Sequence, residues 1–246
     1  MYFTGRSLEA TRQGQLTDRF TKAVDQLDRT GTDHLQARLG AIYALERLAR
    51  DSPRDHPTVV EVLSAFIRTT TPQPTTVFDL SADLPGITCS EPYNVAPDIQ
   101  AALTVLGRRD STHDQTAQID LHNTCLGNAY LSGADLTNAN LRNAYLTHAD
   151  LRDADLRGAT VHGANLTHVD LRDANLRGAT VHGANLFDAD LRYADLTGAD
   201  LRYANLTGAS LIGADLSYAN LVGAHHDEKT VIIDVVINDG TRGVWW

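Results

Sequence analysis

An apolar residue stands at every fifth position from Leu121 to Leu221, twenty-one positions in all, filled by Leu except at Val161 and Val181. Two residues before nearly every one of them sits Ala, as at Ala134, Ala139 and Ala144. An α-helix cannot use this pattern, because five residues turn about 140° around a helix of 3.6 residues per turn and would spread the leucines over every face. The period belongs instead to short extended segments joined by corners. Within each segment the Ala and the Leu are two apart and point the same way, while the Asp, Asn or Tyr between them points outward. The stretch is therefore expected to wind as a solenoid around a Leu/Ala core.

A second period sets the number of corners per turn. Residues 157–166, RGATVHGANL, recur without change at 177–186. Twenty residues are four of the five-residue units, which predicts a square coil with one unit on each side. Twenty-one units make about five coils, and at the roughly 4.8 Å spacing of stacked strands the column is on the order of 25 Å tall. Asn, Asp and Gly suit the corners, the first two by bonding their own turn backbone and Gly by accepting unusual dihedrals.

The units ADLTN, ANLRN, ADLRG and ANLTG resemble those of the pentapeptide-repeat family over residues 119–224. The resemblance implies a mainly β chain built on a right-handed quadrilateral β-helix. It is specific for fold and weakly so for function, since one fold carries many roles. Some members of the family imitate duplex DNA and occupy the DNA-binding saddle of a type II topoisomerase, protecting gyrase and conferring antibiotic resistance.

Residues 1–118 are different material. Leu16, Phe20, Val24 and Leu27 recur at helical spacing, as do Leu35, Leu39, Ile42, Leu45 and Leu48, and then Val59, Val62, Phe66 and Ile67. Asp51-Ser52-Pro53 ends the second of these helices, and Pro57 suits the first turn of the third. The proline-rich stretch from Thr69 to Pro97 predicts an irregular connection, followed by a fourth helix over Asp98 to Arg109 that docks on the first coil and covers its open edge. This part resembles the helical segment that precedes the repeats in many actinobacterial members of the family. The paired helices also resemble a HEAT-type unit, which implies an adaptor surface beside simple capping.

Residues 225–246 carry Val231-Ile232-Ile233 and Val235-Val236-Ile237, too apolar to stay exposed, with a turn signal at Asn238-Asp239-Gly240 before Val244-Trp245-Trp246. The tail is expected either to cap the last coil or to pair with a second copy. In gyrase-protecting relatives a C-terminal module makes the dimer, though theirs is helical and this one is strand-like.

Composition bounds the function. The chain has 246 residues, 42% of them apolar, and a formal charge of −10, which argues against direct nucleic-acid binding through Lys and Arg. No run of eighteen apolar residues occurs, and Met1 to Arg12 lacks a signal peptide's apolar stretch, so the expectation is a cytoplasmic protein without a membrane role. Cys89 and Cys125 are far apart in an otherwise cysteine-poor chain, which favours unpaired thiols over a disulfide framework or a zinc site.

Function would be written on the outward positions. The first two sides, centred on Leu121 and Leu126, carry net charges of 0 and −1. On the third, Asp150, Asp153, Asp170, Asp173 and Asp190 face Arg152, Arg172 and Arg192. On the fourth, Asp135, Asp155, Asp195 and Asp215 face Arg157 and Arg177. Each of these sides totals −2. These nine carboxylates are the candidate partner-binding groups, with DNA gyrase the partner that the resemblance implies. Twelve Asp against seven Arg over the column give one net charge per roughly 5 Å, about a third of the density of duplex DNA. Solvated Asp/Arg ladders of little energetic value are the plain alternative.

Phe187, Tyr193, Tyr203 and Tyr218 sit at outward positions of the last coils. With Trp245 and Trp246 they are candidates for a protein interface, an apolar ligand, or cover for the tail. The chain lacks a Gly-rich phosphate loop, GxSxG, HExxH and CxxC, so no catalytic residue, metal ligand or cofactor is assigned. His162 and His182 should stack one coil apart, as should His148 and His168, and a shared metal would need closer nitrogens than the strand spacing gives without rotamer adjustment. An enzyme survives in one form, a shape-driven reaction such as cyclisation of an apolar substrate, which needs orientation more than charge. The leading expectation is a non-catalytic interaction protein, with a scaffold or adaptor next.

Overall fold

The computed structural model describes residues 3–79, 84–89 and 94–246. Four helices open the chain: α1 (Phe3–Leu27), α2 (Leu35–Asp51), α3 (His56–Thr70) and α4 (Pro97–Gly107). The helical spacing in the sequence buries Leu27, Ile42, Leu45, Leu48, Val59, Leu63 and Ile67 as one apolar cluster, with α1 against α2 and both α2 and α3 against α4. A buried ion pair, Arg38 with Asp98, fixes α2 to the first turn of α4. The Asp98 side chain is 1% exposed, and the Arg38 guanidinium together with the Ile99 N–H compensates its burial.

The connection expected to be irregular contains an antiparallel hairpin, β1 (Thr75–Asp79) with β2 (Leu84–Thr88), Thr75 standing opposite Thr88. The β-branched and aromatic run Thr75-Thr76-Val77-Phe78 has strand propensity that the prolines before it obscured. The parts of that connection at 80–83 and 90–93 lie outside the described residues.

From Asp120 onward the chain is a four-sided solenoid. Parallel bridges join residues twenty apart on each side: Asp120 to Asn140, Cys125 to Tyr145, Tyr130 to Asp150, Asp135 to Asp155, and so on along the column. Each rung makes two backbone hydrogen bonds. Leu151 N–H donates to Asp170 O at 2.8 Å and Asp170 N–H donates to Ala149 O at 3.0 Å. The extended portion of each side is a single bridging residue rather than a strand, because a five-residue side leaves little chain once the corner is turned. The Leu and Ala positions are almost fully buried, and their core is continuous with that of the helices.

Every corner places the second residue after the Leu in the left-handed region, from Asn123 (φ 53) to Gly223 (φ 73). That is the physical reason for the Asn, Asp and Gly found there. The residue before the Leu has its own task. Its side-chain oxygen accepts the N–H two residues on, as Asp150 does from Arg152 (3.2 Å), Asn165 from Thr167 (3.1 Å) and Asp215 from Ser217 (2.9 Å).

The first coil has no coil before it, and the helices satisfy its free donors. Asp120 N–H meets Ser64 Oγ (3.3 Å), Tyr130 N–H meets Gln100 Oε1 (2.9 Å) and Asp135 N–H meets Gly107 O (2.7 Å). Gly107 lies so close to Ala134 that a Cβ on it would approach the Ala134 Cβ to 2.8 Å. On the remaining side the two cysteines, expected to be unpaired, form a disulfide between Cys89 and Cys125, with Cα atoms 6.0 Å apart and Tyr145 packed beside them. Sequence distance concealed the pairing, because the hairpin brings Cys89 back to the coil.

The tail continues the solenoid. Val231 bridges Ser210, Val236 bridges Asp215 and Arg242 bridges Asn220, which adds a further coil. Here the twenty-residue spacing lengthens, and each surplus residue is taken up in a turn closed by a Thr. Thr230 Oγ1 donates to Leu206 O and Thr241 Oγ1 donates to Leu216 O, both at 3.0 Å. The turn signalled by Asn238-Asp239-Gly240 is thus a corner of the solenoid.

Candidate interaction surface

On the third side the structure turns the expected acidic column into a ladder of ion pairs. Asp150 meets Arg152 at 2.6 Å, Asp170 meets Arg172 at 2.5 Å and Asp190 meets Arg192 at 2.6 Å. Weaker contacts run between coils, Arg152 to Asp170 at 3.6 Å and Arg172 to Asp190 at 3.5 Å. The guanidinium of Arg152 holds the Asp150 carboxyl below its ordinary range, and Arg172 does the same for Asp170. These carboxylates are committed twice, to a turn N–H and to an arginine. Asp153 and Asp173 differ from them, standing at the exposed left-handed corners of the same side. The side's net charge of −2 therefore faces solvent chiefly through these two residues.

The fourth side is looser. Asp155 pairs with Arg157 at 2.6 Å, while Arg177 reaches across to Asp195 at 3.5 Å. Asp135 accepts from Thr137 N–H at 3.0 Å, and Asp215 caps its own turn in the same way. All nine candidate carboxylates thus lie on two adjoining sides, as the folded sequence places them, but seven of them also hold the corners.

The aromatic candidates do not gather into one patch. Phe187 lies on the second side, Tyr193 on the third, Tyr203 on the first and Tyr218 on the fourth. The three tyrosines occupy left-handed corners and lay their rings over a glycine in the next coil: Tyr193 over Gly213, Tyr203 over Gly223 and Tyr218 over Gly240. A Cβ on Gly213 would come within 2.6 Å of the Tyr193 ring. Trp245 stacks on His226 at 4.2 Å between centroids, and Trp246 meets Trp245 edge-on.

The expected histidine pairs are present, with centroids 4.8 Å apart for His148 and His168 and 5.1 Å for His162 and His182. Burial, with Arg142 and His182 adding to it, holds His162 below the ordinary imidazole value. Among the described residues no group of three His, Cys, Asp or Glu could hold a metal, and no helix is long and apolar enough to cross a membrane. Sequence reasoning missed Asp114, which takes both Arg109 at 2.6 Å and the buried His56 at 2.9 Å. None of these residues falls in a periodic pattern, so no signal marked them.

A four-sided parallel solenoid of five-residue units defines a β-helical repeat protein. Residues 118–153, 154–192 and 189–225 match the family described as Pentapeptide repeats, in eight copies, and through this stretch the chain belongs to that family. Among solved structures, a pentapeptide repeat protein from the Arabidopsis thaliana thylakoid lumen is 33% identical. The match covers 42% of this chain and 61% of that one, with a TM-score of 0.27. The pentapeptide repeat protein alr5209 from Nostoc is 30% identical over 50% of this chain and 88% of that one, with a TM-score of 0.21. QnrB1, a plasmid-mediated fluoroquinolone resistance protein, is 19% identical over 51% of this chain and 68% of that one, with a TM-score of 0.40. No curated protein is significantly similar to this chain.

Proposed function

We infer that this is a non-catalytic interaction protein whose third and fourth sides form a rigid, acidic docking surface for a protein that handles DNA, with DNA gyrase the partner to test first. The observation that carries this reading is the third side itself. Three Asp/Arg pairs repeat at the coil spacing, Asp153 and Asp173 project beyond them, and all are mounted on backbone rungs of 2.7–3.0 Å. Such a surface loses little conformational entropy on binding. Because its charge density is about a third that of duplex DNA, shape must contribute alongside charge.

The last described coil exposes Ile233 (57%), Val236 (49%) and Ile237 (42%), an apolar surface on which a second copy of this chain docks. A cytoplasmic place suits a gyrase partner. The Cys89–Cys125 disulfide is a bond that an oxidising compartment keeps, so the redox state of these two cysteines in the cell tests that placement.

The test is binding to purified gyrase by the wild type and by the triple variant Asp150→Asn, Asp170→Asn, Asp190→Asn. Asn already serves as the turn acceptor at Asn140, Asn165 and Asn175, so the fold is retained, while the third side changes from −2 to +1. Loss of binding in the variant supports the reading, and equal binding by both proteins overturns it.

A further inference from the structure

Between α2, α3 and α4 lies a cavity of about 190 Å³ that the β-helix surface does not involve. Its floor is aliphatic, formed by Val59, Val60, Leu63, Val105 and Leu106, each more than nine-tenths buried. Its wall is rich in hydrogen-bond donors. Glu46 accepts from Arg108 at 2.8 and 2.9 Å and also from Arg50 at 3.3 Å, so two arginines share one carboxylate. Deeper in, Asp114 is shared in the same way by Arg109 and His56. The remaining acid of the lining, Asp110, is 60% exposed and is engaged by Thr112 and His113.

A guanidinium carries five N–H donors in a planar fork, so Arg50 and Arg108 keep donors to spare after serving Glu46, and the trio carries one positive charge in excess. The volume equals that of roughly six waters, too small for a drug-sized molecule and enough for a chain of about five carbons. We propose that this cavity binds a small carboxylate with an aliphatic body, the body on the valine and leucine floor and the carboxylate on the donors that Arg50 and Arg108 do not give to Glu46. Arg109 also donates to Asp135 O at 2.7 Å, so the occupant sits one residue from the contact that seats the helices on the first coil.

Hexanoate is the probe, with 1-hexanol as the same body without charge and inorganic phosphate as the charge without the body. Binding to the full chain is followed by NMR of the Val59, Val60 and Leu63 methyl groups. Hexanoate should shift these methyls and bind about tenfold more tightly than hexanol, the scale of one charge-assisted hydrogen bond. The double variant Arg50→Gln, Arg108→Gln alters two exposed side chains; it should erase that advantage and leave hexanol binding unchanged. Glu46→Gln frees both arginines and should tighten hexanoate, an outcome that a purely structural Glu46 would not give. Equal binding of hexanoate and hexanol, methyls that do not move, phosphate acting as strongly as hexanoate, or weaker hexanoate binding in a folded Glu46→Gln variant would each overturn the proposal.

Discussion

Replacing Leu171 with Ala puts the four-sided coil to a quantitative test. Leu171 is 1% exposed and stacks between Leu151 (1%) and Leu191 (0%), one coil away on either side. The substitution removes three carbons, worth about 2.4 kcal/mol of transfer free energy at about 0.8 kcal/mol each. A void of roughly 70 Å³ adds about 1.7 kcal/mol at about 24 cal/mol per Å³ if the surroundings do not close in. They are poorly placed to do so, because Leu151 N–H to Asp170 O and Leu171 N–H to Asp190 O, both 2.8 Å, fix the coil spacing. The expected loss is therefore about 4 kcal/mol, near the middle of measured Leu→Ala changes. Urea unfolding followed by circular dichroism measures it, with the exposed corner substitution Asp173→Asn as a control expected within about 0.5 kcal/mol of wild type. A Leu171→Ala loss below about 1 kcal/mol would mean that Leu171 does not sit in a closed column, and the twenty-residue coil would fail with it.

Three further outcomes are expected. Arginine partners hold the Asp150, Asp170 and Asp200 carboxyls below their ordinary range, so the unfolded chain takes up protons first on acidification. The contribution of these carboxyls should be level above about pH 4 and fall below it, while His162, held below the ordinary imidazole value, adds an earlier fall below about pH 6.5; both are read as a falling urea midpoint between about pH 7 and pH 3. A midpoint that does not move would show that these pairs do not act as drawn. Cys89→Ser opens a loop of 36 residues and should cost about 4 kcal/mol relative to the oxidised protein. Under reducing conditions the two proteins should be equally stable, and a difference that persists there would assign the effect to packing. Ile233→Lys with Ile237→Lys should convert a dimer into a monomer in light scattering, and a monomeric wild-type chain would end the case for self-association.

The solenoid was legible because its code is local. A side of five residues has one inward Leu, one inward Ala and one corner, so periodicity alone yields the core, the coil and the side on which each Asp lies. Whatever depends on chain brought together from a distance stayed hidden. The 36-residue reach between Cys89 and Cys125 has no periodic mark, and β1 and β2 lie among prolines that mask their strand propensity. Counting placed the nine Asp on two adjoining sides, yet it could not show that Asp150, Asp170 and Asp190 each serve a turn N–H and an arginine. Nor could it show that the tyrosines are dispersed. Their corner positions follow from the five-residue register, while the glycine beneath each ring is a property of the neighbouring coil.

The most direct measurement is a gyrase supercoiling assay with the wild-type protein added over a range of concentration and salt. A rigid acidic side that competes for a DNA-binding surface should change supercoiling in proportion to protein added, and the effect should weaken as salt screens the contact. Supercoiling that is unchanged at every concentration and salt would contradict the proposed role of the third and fourth sides.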